Sequence, residues 1–263
     1  MPYDILKVKD KNDAYYLETP LFDLPMRLLI NGKSQLSGKT TIILNLLANP
    51  SFPYSKLFKG ENIHVISNNQ LDNKLKMLGD RLLIPDENFQ MYDEGYLIKL
   101  YDDLEENFME ETANGGKPAN RMIIFDDCGY SGSLKSYGRG TVVDKMICNG
   151  RHLNLSQIYT SQKYSQCSTT LRNNVTGFIG FGTTAKEVDS ITDDMSYFEN
   201  RKDFRAMYRA NTKKPRSFIV VMYDRGLNPE NLYYDMEFNP ILVPFVSGFL
   251  LNVFLGLEAL ATL

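Results

Sequence analysis

Asn31-Gly32-Lys33-Ser34-Gln35-Leu36-Ser37-Gly38-Lys39-Thr40-Thr41 follows a short apolar run, residues 26–30 (MRLLI), and opens a helical stretch over residues 40–48. A strand, a Gly/Ser loop ending in Gly-Lys-Thr and then a helix is the context a phosphate-binding P-loop requires. Backbone N–H groups of the loop and of the helix N-terminus can cradle phosphate oxygens. On this reading Gly32, Ser34, Ser37, Gly38, Lys39, Thr40 and Thr41 bind a nucleoside triphosphate. Lys39 reaches the β- and γ-phosphates, the Thr40 hydroxyl ligates Mg²⁺, and Gly38 leaves room for the backbone to approach. The usual spacing is G-x-x-x-x-G-K-[ST], and Gly32 stands one residue too far out. Either Lys33 occupies the first-glycine position or the loop carries one extra residue.

A second segment completes such a site. Residues 121–127 (RMIIFDD) read as an apolar strand ending in an acidic pair. Alone, this is a strand end capped by two solvated acids. Beside a Gly-Lys-Thr loop it reads as a Walker B strand, with Asp126 holding Mg²⁺ through water and Asp127 orienting or deprotonating the attacking water. No N-K-x-D segment is present to select guanine, so ATP is the expected nucleotide.

Short apolar strands alternate with helical stretches along the chain. Strands are expected at residues 62–67 (NIHVIS), 155–160 (LSQIYT) and 177–181 (GFIGF), and helices near 71–78 and over 96–111. The last of these has apolar residues at 97, 100, 101, 104 and 108, the i, i+3, i+4 spacing of one helix face. An Asn-Gly-Gly turn at 114–116 ends it. Residues 204–210 and 217–223 read as an antiparallel pair joined through Lys213-Lys214-Pro215. This pattern implies an α/β fold, a mostly parallel central sheet flanked by helices, with an antiparallel hairpin near the C-terminus.

With 263 residues, 43% apolar and 23% charged, the composition is that of a globular chain of one large or two small domains. A net charge of −3 excludes a uniformly basic nucleic-acid coater but not a local basic patch. The three cysteines, at 128, 148 and 167, form no CxxC and accompany only two histidines, which disfavours a zinc site. With no signal peptide at the N-terminus, reduced thiols in a reducing compartment are expected. Charge is segregated: residues 86–111 hold ten acids and one base, and residues 201–216 hold seven bases and one acid. Either run can be a solvated face. The basic one is interleaved with Phe204, Met207 and Tyr208, so Arg201, Lys202 and Arg205 are candidate DNA contacts. A second candidate is the Gly/Ser-rich stretch 129–140 (GYSGSLKSYGRG), through Lys135 and Arg139. Its plain alternative is a surface loop.

Strand 155–160 is expected beside the Walker B strand, which puts Gln162 at the ligand-binding edge of the sheet. A glutamine there can orient water and sense the γ-phosphate. Arg172 is a candidate arginine finger supplied across a subunit boundary, or a structural arginine paired within its own fold. His152, after Arg151, reads as structural.

The order GKTT, IIFDD, GRH, TSQKYSQ and LRNN resembles the FtsK/HerA superfamily, and within it the poxvirus-type genome-packaging ATPases of large DNA viruses and virophages. The resemblance spans residues 25–225. It implies a RecA-like core, ATP hydrolysis with Mg²⁺, and a ring homo-oligomer, usually a hexamer, that moves double-stranded DNA into a preformed capsid. Site roles then fall on Lys39, Thr40, Asp126, Asp127, Gln162 and Arg172. The resemblance further implies capsid or portal-vertex partners and a place in the cytoplasmic virus factory or the virion. Two competing readings are a P-loop nucleoside or nucleotide kinase, and a membrane-tethered ATPase for DNA or protein export.

Residues 1–240 are read as the ATPase domain. In the tail, 241–263, Glu258 is the only charged side chain. About 20 apolar residues span a bilayer, but Pro244, Gly248, Asn252 and Gly256 interrupt this run. A docked helix, a subunit contact and a membrane segment all remain open for it.

Overall fold

A computed structural model describes residues 17, 21–34, 37–69, 72–128, 140–223 and 231–241. The expectations for Lys135, Arg139 and residues 242–263 lie outside them. Eight strands form one sheet: β1 (Arg27–Asn31), β2 (Ile63–Ser67), β3 (Phe89–Gln90), β4 (Arg121–Asp126), β5 (Leu155–Ser161), β6 (Gly177–Phe181), β7 (Phe218–Met222) and β8 (Tyr233–Tyr234). Their order across the sheet is β3-β2-β4-β5-β1-β6-β7-β8. Neighbours from β3 to β6 pair parallel, and β7 pairs antiparallel with β6 and with β8. The α/β fold class and its antiparallel C-terminal strands are as the sequence implies.

Side chains alternate between the two faces of a strand, and both faces are covered. Leu28, Ile30, Met122, Ile124 and Ile158 pack under α1 (Lys39–Ala48), α2 (Tyr54–Leu57) and α3 (Asn73–Leu82). Leu29, Ile123, Phe125, Leu155 and Tyr159 face α4 (Glu94–Ala113), α5 (Val142–Asn149), α6 (Thr169–Asn174), α7 (Ala185–Met195) and α8 (Arg201–Asn211). The Phe125 and Tyr159 rings stack across β4 and β5, their centroids 4.9 Å apart. β4 is buried at every position. It therefore reads as a continuous apolar run until the acids that mark its C-terminal end.

One expected strand is a helix. Residues 201–211 form α8, with the Asn200 side chain accepting from Lys202 N at the N-cap. Phe204 and Tyr208 are buried and Met207 packs beside them, an i, i+3, i+4 face, while Ala206 is exposed. The antiparallel partner of β7 is instead β6, with Gly177 opposite Met222 and Phe181 opposite Phe218. Gly180 makes this packing possible: a Cβ there would sit 2.7 Å from the Tyr208 hydroxyl, which donates to Phe181 O at 2.7 Å.

The helix and strand arrangements of this segment bury different residues. We expect Phe204→Ala to destabilise the protein by about 3–5 kcal/mol. We expect Ala206→Glu, which a strand would bury between 204 and 208, to change stability by no more than about 0.5 kcal/mol. Urea titration of both variants checks the difference.

Candidate active site

The P-loop leaves the sheet between β5 and β6. At the end of β1, Asn31 Nδ2 and Gly32 N both donate to Ser161 O of β5, at 3.3 and 3.0 Å. Gly32 is packed so closely that a Cβ would lie 2.7 Å from Phe181 Cβ and from Ser37 Cβ. Lys39 Nζ donates to Gly32 O at 2.8 Å, and Ser37 Oγ donates to Lys33 O at 2.6 Å. The close approach at the start of the loop thus belongs to Gly32. Gly38 has φ 100°, a left-handed conformation that favours glycine. As the residue before α1 it has no side chain to cap the helix, and no acid occupies the first turn. The leading N–H groups of α1, with Thr40 and Thr41 in that turn, are arranged for an anion.

The acidic pair is held by the neighbouring strand. Thr160 Oγ1, in β5, donates to Asp126 Oδ1 at 2.9 Å and accepts from Asp127 N at 2.8 Å. Asp127 has φ 51°, a left-handed turn that Asp tolerates better than most residues. Gln162 Nε2 donates to Asp127 Oδ1 at 2.7 Å. The expected juxtaposition of Gln162 and Asp127 is therefore present as a direct contact. Lys39, Thr40, Thr41, Ser34, Asp126 and Asp127 line one cleft of about 300 Å³, together with Asn69, Asp72, Lys74 and Arg216. Gln162 lines an adjoining cleft of about 390 Å³ that shares Ser34 with the first.

The electrostatics of the cleft suit a cation and an anion together. Burial lowers the Lys39 pKa, while Asp127 and Asp126 hold its charge in place. Burial pushes the Asp126 carboxyl up to about 6; the Thr160 hydroxyl and Lys39 oppose this, and Asp127 and Asp72 add to it. Asp72, Asp126 and Asp127 line the cleft together with Lys39, Lys74 and Arg216, so acidic and basic groups are both present for a cation and a polyphosphate. Asp126 and the Thr40 hydroxyl supply the hard oxygen donors that Mg²⁺ prefers. The residues present therefore fit Mg²⁺ with a triphosphate.

Several residues that shape the site were not singled out from sequence. Thr160 precedes Gln162 by two positions, and its role depends on the neighbouring strand β4. Asp72 and Asn69 follow β2, with Asp72 capping α3 through Lys74 N. Arg216 is brought in by the loop after α8.

Other candidates sit differently. Arg172 forms an ion pair with Asp194, and its guanidinium lies 5.1 Å from the centre of the Tyr164 ring. It is thus held by its own chain. Arg201 pairs with Asp193, and Arg205 with Asp189 at 2.9 Å, so α7 neutralises two of the three candidate DNA contacts on α8. Lys202 is exposed. The Gly-Arg-His segment leads into the N-terminal end of β5, the sheet edge opposite Gln162.

The sequence profile of the poxvirus A32 protein matches residues 14–233. The chain belongs to the poxvirus A32 protein family. This bears out the resemblance to viral packaging ATPases of the FtsK/HerA type, and with it the expectation of an ATPase. The A32-family chain is also similar in structure to the genome packaging NTPase B204 from Sulfolobus turreted icosahedral virus 2 in complex with AMPPCP. There the TM-score is 0.54 at 16% identity, over 83% of this chain and 99% of that one. B204, the DNA-packaging ATPase from Sulfolobus turreted icosahedral virus, gives a TM-score of 0.55 at 12% identity over the same shares. At these identities the likeness concerns the fold. No curated protein sequence matches the A32-family chain significantly.

The raised Asp126 pKa has a consequence for stability. The folded protein holds that proton more tightly than the unfolded chain, from 3.8 up to about 6. Stability is therefore greatest below the unfolded value and is lost as pH rises from about 4 to about 6. The loss is on the order of 3 kcal/mol. In buffer without Mg²⁺ or nucleotide, Asp126→Asn should melt higher than the parent protein near pH 7.5. The advantage should shrink towards zero as pH falls to about 4. Thermal melts across that range test it.

Proposed function

We propose that this protein is an ATP-driven motor that moves double-stranded viral DNA into a capsid, hydrolysing ATP at the subunit interfaces of a ring. The observation that carries the reading is the contact of Gln162 with Asp127, on a sheet edge shared with Lys39 and Asp126, in a chain of the A32 family. The ring is a homo-oligomer, in this reading a hexamer. Its partners are DNA and a capsid or portal-vertex protein, and its setting is the cytoplasmic virus factory or the virion. Its ATPase unit is residues 1–240. The tail, 241–263, would serve as a docked helix, subunit contact or membrane contact. Among the described residues no helix is long and apolar enough to cross a membrane.

The residues divide the work as follows. Lys39 and the first N–H groups of α1, with Ser34, Ser37 and the Gly32–Gly38 backbone, hold the triphosphate and fix the γ-phosphate in place. Thr40 and Asp126 would hold Mg²⁺, which when bound would offset the charge of the phosphate oxygens. Asp127 accepts a hydrogen bond from the attacking water and takes its proton as the water oxygen bonds to the γ-phosphorus. The bond to the β–γ bridging oxygen breaks, leaving ADP and phosphate. Gln162 fixes the Asp127 carboxylate and exchanges that contact for one to water or γ-phosphate. Thr160 positions both acids. Arg172, held by Asp194 and Tyr164, would complete the site of the neighbouring subunit. DNA contacts would come from the 129–140 segment with Lys135 and Arg139, and from the Lys202 side of α8 with Arg201 and Arg205.

Lys39→Ala should abolish hydrolysis. Asp127→Asn should lower kcat by about 10²–10⁴ while nucleotide still binds. Duplex DNA should stimulate the parent enzyme. Phosphoryl transfer to a nucleoside without DNA stimulation would instead favour a kinase.

The role of Arg172 can be read from mixed rings. Lys39→Ala subunits retain Arg172, and Arg172→Ala subunits retain Lys39. Mixing two inactive variants should restore part of the activity, because some junctions then hold both residues. No recovery in rings that demonstrably co-assemble would assign Arg172 to its own fold alone.

A further inference from the structure

The basic run 201–216 divides into two parts. Arg201 and Arg205 face α7 and are paired with Asp193 and Asp189. One turn further on, Arg209 forms no ion pair with any described residue, nor do Lys213, Lys214 and Arg216 in the loop that follows. These four line an open groove of about 530 Å³ with Lys33 of the P-loop, beside Gly182 at the end of β6. No carboxylate lines it. All five cations are exposed. Five like charges around one concavity repel one another, and in a chain of net charge −3 such a concentration is local, not a general excess.

The groove adjoins the ATP cleft through specific side chains. Arg216 lines both, and it is held at φ 64°, a left-handed backbone that a non-glycine residue adopts only under constraint. Lys33 lines the groove and also the cleft that contains Gln162. The loop is pinned from below: a Cβ on Gly182 would lie 2.9 Å from Thr212 O, and Ser217 Oγ donates to Lys214 O at 2.7 Å. An anion drawn into the groove would therefore act on a loop whose last residue reaches the nucleotide cleft.

We propose that this groove binds the phosphodiester backbone of nucleic acid, and that Arg216 and Lys33 couple its occupancy to the ATP site. The inference rests on the motor reading above and moves the principal DNA contact from Arg201 and Arg205 to Arg209, Lys213 and Lys214. Its open shape suits a continuous strand that enters and leaves. A free polyphosphate shares the same chemistry and is the alternative occupant.

The test uses the full chain carrying Arg209→Gln, Lys213→Gln and Lys214→Gln together. These three line the groove and not the ATP cleft. Duplex-DNA binding is measured across a salt series, with ATPase activity measured with and without DNA. Each phosphate neutralised contributes about 0.9 to the slope of log affinity against log salt. The triple variant should show a slope shallower by about 2–3, lose DNA stimulation, and keep its basal hydrolysis and melting temperature. Arg216→Gln should retain most of the DNA affinity and lose the stimulation. An unchanged slope and unchanged stimulation in the triple variant overturn the groove, while the motor reading stands on the parent enzyme's response to DNA. Full stimulation in Arg216→Gln overturns the coupling. Loss of tripolyphosphate binding with DNA binding intact assigns the groove to free polyphosphate and overturns the proposal. A parent enzyme that neither binds DNA nor responds to it overturns both readings.

Discussion

One hydroxyl fixes the arrangement of the acidic pair. Thr160 Oγ1 donates a hydrogen bond to Asp126 and accepts one from the N–H of Asp127. Both bonds are buried or nearly so, and a buried polar group left without a partner costs roughly 1–3 kcal/mol. The consequence is geometric as much as energetic. Asp126 stays in line with β4 inside the cleft, and Asp127 turns through a left-handed residue to meet Gln162. The two carboxylates can then face different tasks although they are adjacent in sequence.

That hydroxyl can act only because β4 and β5 are parallel neighbours in a fixed register. Phe125 lies opposite Tyr159, so the ends of the two strands arrive together. The register is secured well away from the site. Gln157, fully buried, donates to Met146 O at 2.8 Å and accepts the Tyr159 hydroxyl. A one-residue slip would drive these polar groups into the opposite apolar layer. The same sheet places β1 on the far side of β5, so that Ser161 O tethers the start of the P-loop one residue after Thr160 has tethered the acids. Phosphate-binding and acidic halves are thus joined through consecutive residues of one strand.

The parts of this design legible in the sequence are those carried by local patterns. The P-loop, the apolar β4 with its terminal acids, and the period of α4 each announce themselves within a short window, and the resemblance added the order in which they occur. Gln162 was legible because strand-end position and chemistry coincide. Thr160 was not, because a threonine in a strand is unremarkable until the partner strand is known. Residues 204–210 misled because aromatic residues at 204 and 208 satisfy period 2 as well as a helical face. The exposure of Ala206 and the cap at Asn200 decide for the helix. Arg216 could not be found from sequence, since its place in the cleft depends on where the loop after α8 crosses the sheet edge.

The segregation of charge takes on a physical sense once α7 and α8 are seen together. A DNA motor must hold phosphate strongly enough to pull and weakly enough to let go, and each contact made with a lysine or arginine adds to the salt-sensitive affinity. Seven cations clustered in residues 201–216 would favour retention if all of them faced solvent unpaired. The acids of α7 neutralise Arg201 and Arg205, so that apart from Lys202 the charge without an ion pair lies at the end of α8 and in the loop that meets the nucleotide cleft. On the proposed reading, a groove that shares Arg216 with the nucleotide cleft lets one loop respond to both ligands. An equal amount of charge spread along the helix would bind DNA without linking it to hydrolysis.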